Sequence, residues 1–176
     1  MKRRAFSLVV AIGVLALLPW PALATDSNGN HDAYQFLLGM APAVGPDIAM
    51  APNGSTVTMT GSGRFNAGPD KTASGGGTYT IKNAAGTPVA SGAFTVTGIL
   101  EFVDYGDGTP QGLPAFTHGG QAKLGVILAG AGDGVLTVFC LLGSPPAGKE
   151  EGIALILGNG MNFTKPAGGE TVFIKP

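Results

Sequence analysis

The sequence predicts an all-β protein, a single antiparallel β-sandwich or flattened β-barrel of about seven or eight strands. Three observations carry this reading. Short runs rich in Val, Ile, Thr and Phe alternate with clusters of Gly, Pro, Asn and Asp along most of the chain. Two joints have hairpin chemistry, Asn83-Ala84-Ala85-Gly86 and Gly130-Ala131-Gly132-Asp133-Gly134, where Asp-Gly supplies the positive φ of a tight turn. No stretch sustains a 3.6-residue apolar period for the length of an ordinary helix.

The first residues read as an export signal. Lys2, Arg3 and Arg4 precede an apolar stretch from Ala5 to Leu18, and Ala22-Leu23-Ala24 closes the region as an A-x-A cleavage site. A signal peptide over residues 1–24 is expected, because about 14 apolar residues fall short of the roughly 20 that span a bilayer. The arginine pair also fits a twin-arginine signal. No Ser or Thr precedes it and the apolar region is strong, so the general secretory route to a secreted or periplasmic location is preferred. Residues 25–54 read as a polar lead-in containing His31, followed by an apolar segment broken by Gly and Pro. That segment allows at most a short helix or strand at residues 34–40.

The all-β domain is expected over residues 55–176, with strands near residues 55–61, 77–82, 89–105, 122–129, 135–142, 153–157 and 171–175. The longest has Phe94, Val96, Leu100 and Phe102 on one parity, which makes them candidate core residues, and Gly98 interrupts that row as a bulge or bend. In the strand at 135–142, Leu136, Val138, Cys140 and Leu142 form a core row, yet Val135, Phe139 and Leu141 make the other parity apolar too. The strand at 153–157 repeats the pattern. A strand apolar on both sides needs cover on both sides, from the segment at 33–50, a ligand, or a subunit partner that would make the protein a homo-oligomer.

Charge and composition exclude several roles. Without the signal, seven basic and eleven acidic residues remain, a net charge of −4 with His neutral. The seven basic residues are scattered, so neither nucleic acid nor an anionic membrane surface is an expected partner. Missing aromatic girdles and short strands argue against a membrane barrel, and stable membrane insertion is not expected once the signal is cleaved. One cysteine forbids an internal disulfide in a compartment that permits one. Asn53-Gly54-Ser55 and Asn162-Phe163-Thr164 fit a glycosylation sequon, which matters only in a eukaryotic host.

Gly75-Gly76-Gly77-Thr78-Tyr79, Tyr105-Gly106-Asp107-Gly108-Thr109-Pro110, Gly119-Gly120, Cys140-Leu141-Leu142-Gly143-Ser144-Pro145-Pro146 and Glu151-Gly152-Ile153 together carry a resemblance. From about residue 55 onward the chain resembles a group of small secreted bacterial β-rich proteins. The resemblance implies a fold class and export, and carries over no activity, cofactor or catalytic residue.

Candidate sites follow from residue chemistry. Cys140 would need a stabilised thiolate to act as a nucleophile, but Phe139, Leu141 and Leu142 surround it with apolar groups that raise a thiol pKa, so a buried core role is expected. His118 lies in the Gly- and Pro-rich loop 104–120 with Asp104, Asp107, Thr109, Gln111 and Thr117, a set suited to ligand binding, or to acid–base work by His118 with Asp104 or Asp107. Asp104 and Asp107 lack the full acidic series of a Ca²⁺ loop, no His spacing fixes a metal, and no cofactor is expected. Glu150 and Glu151 beside Lys149 read as a solvated loop. These features point first to an exported, non-catalytic β-domain that binds a ligand or partner or associates with itself. A small hydrolase or isomerase using His118, and a structural envelope or matrix protein, are the alternatives.

Overall fold

A computed structural model describes residues 32–40 and 44–176 of the 176-residue chain. The expected signal peptide, the lead-in and His31 lie outside the described residues. The described chain is all-β, in agreement with the sequence. Eleven strands follow in order: β1 (Ala33–Leu38), β2 (Asp47–Met50), β3 (Thr56–Asn66), β4 (Thr72–Lys82), β5 (Pro88–Asp107), β6 (Thr117–Leu128), β7 (Gly132–Cys140), β8 (Gly152–Leu157), β9 (Asn162–Phe163), β10 (Lys165–Gly168) and β11 (Thr171–Ile174). A short 3-10 turn at Thr109–Gln111 separates β5 from β6.

Every pairing is antiparallel, and the hydrogen bonds trace a circuit from β3 through β4, β5, β6, β11 and β1 back to β3. Two long strands fork this circuit. β3 gives one edge to β4 and divides the other between β1 and β2, while β6 gives one edge to β5 and divides the other between β7 and β11. One arm continues from β2 to β10, the other from β7 through β8 to β9, and β8 packs against β2 and β10. β4 and β5 pair only from Gly76 opposite Thr95 to Lys82 opposite Pro88, so the ring is flattened and open rather than a regular barrel.

Period-2 alternation supplies the core. Val57 and Met59 on β3, Tyr79 and Ile81 on β4, Leu124, Val126 and Leu128 on β6, Leu136, Val138 and Cys140 on β7, and Ile153, Leu155 and Leu157 on β8 are all buried, with more polar neighbours between most of them. β3 and β4 extend well beyond the expected residues 55–61 and 77–82 because glycines face each other across the pair: Gly61 meets Gly77 and Gly63 meets Gly75. A Cβ at Gly63 would lie 2.5 Å from the Phe36 ring, so glycine is what lets that fully buried phenylalanine rest on the sheet.

Three expectations need correction. First, Leu100 is 54% exposed while Ile99 is 6% exposed. β5 contains three register shifts, leaving Thr97, Leu100 and Tyr105 without partners on β6, and each extra residue reverses which parity faces inward. The bulge expected at Gly98 is one of the three. Phe102 returns to the inner side, half-buried, as does Leu142 beyond the end of β7. Second, residue 55 is not a structural boundary, since β1 lies between β3 and β11 at the centre of the circuit. Third, that insertion removes residues 33–50 as a cover for the second face of β7 and β8. Val135, Phe139 and Leu141 remain half-buried, and Ile156 and Ile127 are exposed. Lys149 covers part of Phe139, its Nζ 5.4 Å from the ring centroid.

Candidate functional site

The segment expected to be a loop at residues 104–120 is strand at both ends. Asp104 and Asp107 sit on β5 and His118 on β6, and only residues 108–116 connect them. Asp107 accepts hydrogen bonds from the backbone N–H and hydroxyl of Thr109 and so starts the 3-10 turn, and these bonds hold its carboxyl below the usual range. Gln111 ties the connection to the end of β7, donating to Gly143 O at 3.0 Å and accepting from Gly143 N at 3.1 Å. Thr117 donates to Pro114 O at 2.6 Å. Asp107, Thr109 and Gln111 therefore shape the connection, and their polar atoms serve the chain itself.

His118 and Asp104 do come together. His118 Nδ1 lies 3.3 Å from Asp104 Oδ1, and the other carboxylate oxygen accepts the Tyr34 hydroxyl at 2.9 Å. Burial acts to raise the Asp104 carboxyl, but the Gly106 N–H, the Tyr34 hydroxyl and His118 outweigh it and hold it below the usual carboxylate range. Burial and this same carboxylate push the Tyr34 hydroxyl far up, so it stays a donor. Beneath the pair, Tyr34, Phe65, Phe102 and Phe173 pack ring to ring with centroids 4.6 to 5.8 Å apart, one residue from each of β1, β3, β5 and β11. Asp104 is the only side chain hydrogen-bonded to His118 among the described residues, and no cluster of three metal-ligating side chains forms among them.

Thr117 and His118 are neighbours on β6 and project to opposite sides. His118 faces the aromatic cluster, and Thr117 faces a cleft of about 590 Å³. One wall of the cleft is Leu113, Pro114 and Phe116 from the connection, another is Cys140, Leu141 and Leu142 at the end of β7, and Glu170 with the first two residues of β11, Thr171 and Val172, adds to it. Phe116 is 52% exposed and Leu113 41% exposed, large apolar side chains presented at the cleft. Of the six expected binding residues, Thr117 alone lines it.

Sequence reasoning missed the polar end of this cleft. Glu151, expected in a solvated loop, is half-buried and bonded: its carboxyl accepts from Leu141 N at 2.6 Å and Thr171 N at 3.0 Å. The Thr171 hydroxyl lies 2.6 Å from Phe139 O and 2.8 Å from Glu151 Oε1. One hydroxyl proton serves one acceptor, so a proton on Glu151 completes the set. Burial raises the Glu151 carboxyl, and the charge of Glu170 adds to that. Asp47 on β2 is fully buried, and both its carboxyl oxygens are without a partner among the described residues. It lies against Gly152 and Gly169, the residues following Glu151 and preceding Glu170. Burial, then the nearby Glu151, push it up to about 8 against the opposing Gly39 N–H, which bonds Glu170 O at 3.3 Å, with the charge of Glu170 adding a smaller push. Cys140, 1% exposed, is pushed up to about 12 by burial and by Glu151, and is a thiol at neutral pH. The lone Asp-Ile in a Gly- and Pro-broken segment gave no signal that Asp47 would be enclosed.

In comparisons with known proteins, the chain matches no protein-family model, no curated protein and no solved structure.

Proposed function

We propose that the protein is a non-catalytic, exported binding domain that takes a small, largely apolar ligand in the cleft between the β5–β6 connection and the end of β7. The observation that carries this reading is the cleft itself. Its volume, about 590 Å³, suits a small molecule, and its wall is apolar with a few polar groups gathered at Glu151, Glu170, Thr117 and Thr171. Large exposed side chains such as Phe116 and Leu113 have a reason to face solvent there. Gln111 and Gly143 hold the two main walls in a fixed relation, which limits the ordering needed on binding. The test is displacement of Nile red, a neutral apolar dye, followed by fluorescence. Phe116→Ser, at a half-exposed position, is expected to abolish dye binding without loss of stability; unchanged binding overturns the reading.

A second reading rests on the His118–Asp104 pair, in which a carboxylate anchored by Tyr34 orients an imidazole, as general acid–base work requires. It ranks below the first because among the described residues no hydroxyl or thiol is bonded to His118, and aromatic rings fill the space beneath it. Loss of a measured hydrolase or isomerase activity in His118→Gln would favour it.

A further inference from the structure

We infer that residues 168–170, the turn between β10 and β11, form a pH-sensitive strap that stays seated while Asp47 keeps its proton and lifts as that proton is lost, taking one side of the cleft with it. The strap has two sides. Its inner side lies on Asp47: a Cβ at Gly169 would stand 2.6 Å from Asp47 Oδ1 and 2.6 Å from Pro46 O, so glycine, here at a φ of 91°, is what lets the backbone rest there. Its other side is cleft, because Glu170 lines it together with Thr171 and Val172, the first two residues of β11. Movement of the strap therefore reshapes the cleft. The effect on a ligand rests on the cleft being the binding site; the movement itself does not.

The carboxyl supplies the drive. Asp47 is fully buried with neither oxygen bonded among the described residues, so a proton keeps it neutral in place, and a carboxylate there would need water. The charges acting on it among those residues are Glu151, just ahead of β8, and Glu170 on the strap, both of its own sign. β3 faces it with Met59, Lys165 of β10 pairs with Met50 at the far end of β2, and the Cys140 thiol of β7 lies near Glu151. Ionisation therefore favours whichever state admits solvent. The strap is the layer that can yield. Gly168 and Glu170 are exposed, and upstream of them Pro166 has no N–H to give and the β10 register shifts after it. Glu170 carries the main ties, its N–H donating to Val44 O at 2.7 Å and its carbonyl accepting from Gly39 N at 3.3 Å, while the next residue, Thr171, donates its N–H to Glu151. Breaking these few bonds opens less structure than parting β2 from β3, which pair over four residues.

The experiment is hydrogen exchange of the purified protein, read at single amides by NMR from pH 5 to pH 9 and corrected for the intrinsic rate. Protection of the Glu170 and Thr171 amides is expected to fall about tenfold per pH unit and to level off above about pH 8, because the lifted state releases a proton that the seated state holds. Low urea should leave exchange at these two amides unchanged while speeding that of β4, which marks the opening as local. Asp47→Asn should lose most of the pH dependence, and Asp47→Leu carries the same arm if asparagine prevents folding. Nile red at ten times its Kd should raise protection of both amides about tenfold, since the dye needs the seated wall. A protection that does not change with pH, that has the same slope in the variant, or that follows urea as β4 does overturns the inference and leaves the cleft reading standing. Bound dye without added protection overturns the link between strap and cleft. Absence of dye binding overturns the cleft reading, and the pH profile still decides the strap.

Discussion

Replacing Asp47 by asparagine should change how the stability of the protein depends on pH. Asp47 is buried, and its carboxyl is raised from 3.8 to about 8 in the folded chain. In the unfolded chain the group reverts to its ordinary value. Between these two values the folded state holds a proton that the unfolded state has lost, so stability is fully present at acid pH and falls as pH rises. The loss amounts to about 1.4 kcal/mol per pH unit from this one group, or about 5 kcal/mol by pH 8, less whatever water entry recovers. Above that pH both states are ionised and the effect levels off. An asparagine side chain has nearly the same shape and no such titration. Urea denaturation of both proteins at unit steps from pH 4 to pH 9 would give the difference. The expected result is that Asp47→Asn gains on the parent steadily to about pH 8 and then runs parallel. Because the unbonded amide of the variant carries its own pH-independent cost, the slope of the difference matters and its offset does not. Two curves parallel throughout would mean that Asp47 is hydrated or paired, and the reasoning from its burial would fail.

Other expectations follow from the same geometry. Leu100→Asp should change stability by no more than about 0.5 kcal/mol, whereas Ile99→Ala should cost about 2–4 kcal/mol; chemical denaturation of both tests the bulged register of β5 directly. Gly63→Ala should destabilise by about 1–3 kcal/mol, since the new methyl meets the Phe36 ring and a strand carbonyl, and a neutral result would mean β3 does not approach β1 as described. Thiol labelling of Cys140 should be slow in the native protein and fast in urea, consistent with a thiol pushed up to about 12. Tyr34→Phe should raise the Asp104 carboxyl, by removing one of its donors, and cost about 1 kcal/mol. Carboxyl titration by NMR reads the first effect.

The fold class is legible because β-structure announces itself locally. Val57, Met59, Tyr79 and Ile81 alternate with Thr, so most strands can be placed from the text; of the expected turn at 130–134, Gly130 and Gly132 carry the positive φ, while Asp133 and Gly134, expected to make the turn, pair with β6 inside β7. What escapes is set by pairing at a distance. Leu100 and Ile99 are interchangeable until the partner strand decides which residue is left over, and Gly61 to Gly63 looks like a break until Gly75 to Gly77 lies opposite. The site divides in the same way. His118 and Asp104 were recognisable as a pair because they flank one short connection, but Thr117, Cys140, Glu151 and Thr171 converge only through the fork in β6 and the return of β11. Glu151 reads as solvated from its neighbours Lys149 and Glu150; its environment comes from Leu141 and Thr171, ten and twenty residues away.

The hydrogen-bonded path ends on two very small strands, β9 with two residues and β10 with four, the latter broken by a register shift after Pro166. An outer strand is where another chain adds on, and length, flatness and free N–H groups decide how readily it does so. Two residues offer almost no template, and a proline followed by a shift offers an uneven one. Growth into fibres by strand addition at these ends is thereby hindered. An envelope or matrix role would have to be built through side-chain contacts on the sheet surface around Ile127 and Ile156, giving assemblies that dissolve in mild detergent rather than cross-β polymers.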